Sequence, residues 1–163
     1  MLQVRCRETE FSIGVFDHCV LVVWREITVV GIQQLMRTLQ ELRNENGDIK
    51  LALLGLVEAE CTVPVSSDCM RASTDLLKRF EHNLLKNTVV YARNGFASAT
   101  VRSQLMTSAA DSKTDIPQIV TASLLEGCAL TASAMEPALL PADVAEAVAR
   151  LRVAPASSSG QAG

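Results

Sequence analysis

Apolar and polar positions run along this chain in two rhythms, and the switch between them marks out the elements. Phe11–Asp17 (FSIGVFD) and His18–Arg25 (HCVLVVWR) are rich in β-branched and aromatic residues and read as two strands. The Asp17-His18 pair between them predicts a tight hairpin. In the second strand both alternate sets are apolar: Cys19, Leu21 and Val23 on one side, Val20, Val22 and Trp24 on the other. Such a strand is usually buried on both faces, so either the domain or a partner has to cover the second one.

From Thr28 the rhythm lengthens. Thr28 caps a helix, and Ile32, Leu35, Met36, Leu39 and Leu42 fall on one face of it. Asn46-Gly47 ends that helix, because glycine tolerates the left-handed conformation past a helix end. Ile49–Val57 is a nearly continuous apolar run, the mark of a central strand. Ser66 or Ser67 opens a second helix with Met70, Leu77, Phe80 and Leu84 inward and Lys78, Arg79 and Glu81 outward. Thr88–Ala92 reads as a strand, broken at Gly95. Phe96–Ala110 reads as a helix of small residues with Val101 and Leu105 inward. Pro117–Ala122 is a short strand and Ser123–Met135 a fourth helix, with Leu124, Cys128 and Ala132 inward. Pro137 and Pro141 bracket a linker to a fifth helix, Ala142–Arg152, whose Val144, Val148 and Leu151 share a face. Ala154–Gly163 is small and polar and reads as a disordered tail.

The order is ββαβαβαβα plus an extra C-terminal helix: one α/β domain over residues 1–153 with a mixed, largely parallel sheet. At 163 residues, 48% apolar and 20% charged, the chain has an ordinary globular composition. A net charge of −3, with no basic stripe, argues against nucleic acid. Met1–Glu10 is charged and no signal peptide, and Val20–Trp24, the longest apolar stretch, is far too short to span a bilayer. A cytoplasmic protein with no membrane partner is expected. Five cysteines without a CxxC read as reduced core thiols. His18 and His82 stand far apart, so no metal or cofactor is expected.

The chemistry-bearing residues gather at one seam, "GLVEAECTVPVSSDCM", Gly55–Met70. Ser66 and Ser67 read first as a helix cap worth about 1 kcal/mol, with Asp68 suited to the same end of the helix dipole. Phosphorylation of either is electrostatically tolerable there. No GxSxG accompanies them. Glu58 and Glu60 share a strand face and can in principle do acid/base work, but a solvated strand end is the favoured reading. Cys61 and Cys69 read as buried structural thiols, with a redox role as the alternative. His18 is expected to be exposed at the hairpin. Arg93 and Arg102 flank Gly95 and can grip an anion at a helix start.

The segment order from Phe11 to Met135 resembles the SpoIIAA-like fold shared by STAS domains and Sec14-type lipid-binding domains. "VVYARNGFASATVRSQL" resembles the late strand, Gly-Phe turn and small-residue helix of bacterial STAS-like proteins, with Gly95, Phe96, Val101 and Arg102 as matching positions. The resemblance implies a non-catalytic module that binds another protein. Phosphoregulated members carry a serine or threonine in an Asp-Ser-Gly-like turn between a central strand and the next helix. That place falls here within Glu58–Asp68, which has Thr62, Ser66 and Ser67 but no Asp-Ser-Gly, and which inserts Val63-Pro64-Val65.

The expectation is therefore a non-enzymatic, protein-binding module in bacterial cytoplasmic signalling or assembly. Its contacts are Trp24, Val65, Ser66, Ser67 and Met70, its possible phosphoacceptors are Ser66 and Ser67, and a homodimer forms through the sheet face carrying Trp24. The alternative is a Sec14-type small-molecule or lipid-binding domain, which needs an apolar pocket that Met36, Met70, Met106 and Met135 are placed to line.

Overall fold

A computed structural model describes residues 1–91 and 96–153. Six strands form one mixed sheet whose spatial order is the order of the chain. β1 (Leu2–Arg7), β2 (Phe11–Phe16) and β3 (Cys19–Trp24) are antiparallel neighbours. β4 (Leu51–Val57), β5 (Leu84–Tyr91) and β6 (Gln118–Thr121) continue the sheet from β3 in parallel. The α/β class and the mixed sheet are as expected from the sequence. Asp17, at φ 51, and His18 make the tight turn between β2 and β3.

Parallel neighbours need crossovers, and right-handed crossovers along a sequential sheet all fall on the same side. α1 (Val29–Asn46), α2 (Ser67–Arg79) and α3 (Phe96–Ser112) form one layer. Ile32, Leu35 and Leu39 of α1 and Leu76 and Leu77 of α2 pack there against Val20, Val22 and Trp24 of β3. α4 (Leu124–Ser133) and α5 (Pro141–Leu151) come after the last strand and cover the opposite face. Cys19, Leu21 and Val23 of β3 meet Cys128 and Ala132 of α4 and Val144 and Val148 of α5.

The domain thus covers both faces of the sheet with its own helices. Trp24 lies beneath α1 and is only 8% exposed, so the expected open face for a homodimer is closed. The element order also gains a strand. Leu2–Arg7 pairs with β2 through a bulge between Val4 and Cys6, where a charged lead-in segment was expected. β5 begins at Leu84 rather than Thr88, so Leu84 is a strand residue, and α2 stops at Arg79 with Phe80 as its C-cap. Ala92 and Gly95, and the tail 154–163, lie outside the described residues.

The second helical layer is fastened at its end by ions. The guanidinium of Arg7 on β1 donates to the carbonyls of Arg150 and Val153, and Arg25 donates to that of Arg152. Cations at a helix C-terminus complement its dipole. Arg152 in turn makes a two-point pair with Glu58 at the end of β4, 2.7 and 2.9 Å.

α4 lies unusually close to the sheet at Gly127, where a Cβ would fall 2.3 Å from Cγ2 of Val90. Val90 is fully buried and cannot retreat. Gly127→Ala is therefore expected to destabilise the fold by about 1–3 kcal/mol, against the gain in helix propensity that alanine brings on an open helix. Urea denaturation of the two proteins checks this.

Candidate ligand cavity

Between the sheet and the α1–α3 layer lies a cavity of about 140 Å³. Its floor is β3, β4 and β5, through Val22 and Trp24, Leu53 and Gly55, and Asn87 and Val89. Ile32 and Leu35 of α1 and Met70 and Ser73 of α2 form its walls. α3 forms its roof with Val101, Gln104, Leu105 and Ser108, positions i, i+3, i+4 and i+7 of one helical face.

The space exists because small residues oppose each other. Gly55 sits mid-strand in β4, where a Cβ would meet only the edge of Trp24, at 3.5 Å from Nε1 and 3.7 Å from Cδ1. Across from it, the only fully buried residues of α3 are two serines, Ser108 and Ser112. Val101 and Leu105 do turn inward, as the sequence implies, but into the cavity.

Trp24 is held by its far edge. Gly31 of α1 lets that helix lie on the indole: a Cβ there would come within 2.6 Å of Cζ3. Phe11 flanks the ring at 6.0 Å between centroids. The pyrrole edge, with Nε1, is left over Gly55.

The seam meets the cavity at Val65 and Met70. The amide of Gln104 accepts from the backbone N–H of Val65 and donates to its carbonyl, both at 3.0 Å. This is the bond pair of a β-bridge, made here by a side chain. Nε2 of Gln104 also lies 3.4 Å from Sδ of Met70. One residue on, Oγ of Ser66 accepts from the N–H of Cys69 at 3.2 Å, so Ser66 is the N-cap of α2 and Ser67 its first residue. Both serines face solvent.

Three of the five expected contact residues, Trp24, Val65 and Met70, therefore meet at one cavity, and Ser66 and Ser67 stand outside its mouth. Of the methionines expected to line a pocket, only Met70 does so. Met36 packs at the edge of the same core, Met106 is 44% exposed, and Met135 lies in the opposite layer. Nothing in the sequence singled out Gly55, Asn87, Gln104 or Ser108, although a mid-strand glycine signals close approach or missing volume.

The other candidates separate. Glu58 is not the solvated carboxylate expected, since it is held by Arg152, while Glu60 is exposed. Cys19, Cys61, Cys69 and Cys128 are buried and no cysteine is paired. Burial raises the Cys61 thiol above its ordinary value. Burial, then the charge of Asp17, pushes Cys19 up to about 12. Both shifts favour the protonated thiol over the nucleophilic thiolate. His18 is exposed at its hairpin and Arg102 faces outward, while Arg93 and Gly95 lie outside the described residues. Among the described residues no group of three or more His, Cys, Asp or Glu is placed to hold a metal, and no described helix is long and apolar enough to cross a membrane.

The chain matches no family model, no curated protein and no solved structure.

The two seam serines differ in what they do, so their substitutions should differ. Ser66→Ala is expected to cost about 1 kcal/mol through loss of the cap. Ser67→Ala, at an exposed first-turn position, should stay within about 0.5 kcal/mol. Chemical denaturation of the two single variants separates them.

Proposed function

We propose that this chain is a non-enzymatic binding domain of the cytoplasm whose cavity takes one small, mostly apolar molecule. The observation that carries this is the cavity itself: a mostly apolar hollow of about 140 Å³ between the sheet and three helices, partly open to solvent, with the Gln104 amide on its wall. An apolar cavity of about 150 Å³ accommodates one benzene-sized ring. The occupant is therefore the size of a single ring or a short acyl segment, well below a phospholipid.

Of the two expectations, this is the small-molecule one. The run β2β3α1β4α2β5α3β6α4 supports the resemblance to the SpoIIAA-like fold and its Sec14-type branch, with β1 and α5 as additions. A second reading, docking of another protein at Val65–Met70, is favoured by the exposure of Ser66 and Ser67 beside the two residues that enclose the cavity. In that reading either serine can serve as a phosphoacceptor.

Gly55→Val tests the cavity reading. The valine fills the floor, and a β-branched residue suits a central strand better than glycine does. Stability is expected to hold or to rise by up to about 1 kcal/mol. Binding of methylcyclohexane, an uncharged probe of one ring, should be lost. In the wild-type chain, probe at a hundred times its Kd should add about 2.7 kcal/mol of stability, read as a rise in melting temperature. A wild-type chain that ignores the probe, or a variant that binds it equally well, removes the reading.

A further inference from the structure

Resting on the cavity reading, the geometry points to an uncharged ligand that carries a hydrogen-bond acceptor, recognised by the indole N–H of Trp24. The cavity supplies the first half of this. Among the described residues no Asp, Glu, Lys or Arg lines it. A charged ligand would lose its hydration there with no opposite charge to replace it.

Trp24 supplies the second half. Its benzo edge is fixed under Gly31 and beside Phe11, and its pyrrole edge looks across the open floor at Gly55. An indole N–H can only donate, and buried tryptophans usually find an acceptor for it. Among the described residues it makes no hydrogen bond; it is not one of the sealed, unpartnered polar atoms, and Trp24 lines the cavity. An acceptor on the occupant can therefore reach it.

Ser108 points the same way. The other buried helical hydroxyls bond back to their own helix: Thr38 to the Gln34 carbonyl, Thr131 to that of Gly127, Ser112 to that of Ala109. Ser108 is only 4% exposed and lines the cavity, yet it makes no such bond within the described residues. Its hydroxyl can rotate to donate or accept, so it is available to a polar group on the ligand. Thr88 and Tyr91 bury hydroxyls without partners, but neither lines this space.

The chain has a single tryptophan, so its indole N–H gives one NMR resonance. Cyclohexanone and methylcyclohexane have similar size, and only the first carries an acceptor. Titrating the wild-type chain with cyclohexanone should move the indole N–H resonance downfield, while methylcyclohexane should bind without that shift. Trp24→Phe keeps a ring in place and removes the donor. It should weaken cyclohexanone by about tenfold relative to methylcyclohexane, the worth of one hydrogen bond. Cyclohexanecarboxylate should not bind at pH 7.

An indole resonance unmoved by bound cyclohexanone overturns the inference. So does a Trp24→Phe variant that weakens both neutral probes equally, or a carboxylate that binds as well as the ketone. Failure of both neutral probes to bind the wild-type chain removes the cavity reading instead, so the two failures are told apart.

Discussion

The arrangement of every helix is set by β3 and β4 being apolar on both faces. Such strands leave no side for water. Because the sheet runs in chain order, the crossovers between parallel strands all fall on one side, and α1, α2 and α3 have no choice of layer. Only the chain beyond β6 can shield the other face. α4 and α5 do so, drawn close by Gly127 and fastened by Arg7, Arg25 and the Arg152–Glu58 pair. Without them Cys19, Leu21, Val23, Leu54 and Leu56 would be open to water.

The same layer rule leaves a gap on the first side. α1 and α2 bury leucines against the sheet, whereas α3 brings Val101, Leu105, Gln104 and Ser108, of which only the serine is fully buried. Opposite it, β4 offers a glycine. A Cβ at Gly55 would make only ordinary contact with Trp24. The pyrrole edge of Trp24 borders that gap, over Gly55.

Much of this was legible because it is local. The cap at Thr28, the turn at Asp17-His18 and the start of α2 depend on residues within a few positions, and they sit where the sequence places them. β1 was missed: LQVRCR alternates apolar and polar residues at every step, but its charges hide a strand that needs only one apolar face at a sheet edge. What the pattern could not carry was long-range. The two-sided apolarity of β3 is the same whether α4 and α5 or a partner covers it. Glu58 looks like a solvated strand end until Arg152, 94 residues away, is brought to it. Gln104 reads as one polar residue on a weakly patterned helix, because its partner is the backbone of Val65, and a backbone leaves no trace in sequence.

That backbone pair explains why the seam and the cavity belong together. Three consecutive ties leave the Val65–Cys69 stretch. Val65 is bonded on both its N–H and its carbonyl to α3, Ser66 caps α2, and the Cys69 thiol reaches the carbonyl of Ile27, a residue of the cavity wall. α3 is thus held at the mouth by its own Gln104 amide gripping the β4–α2 loop, while beneath it no large apolar side chain is fully buried.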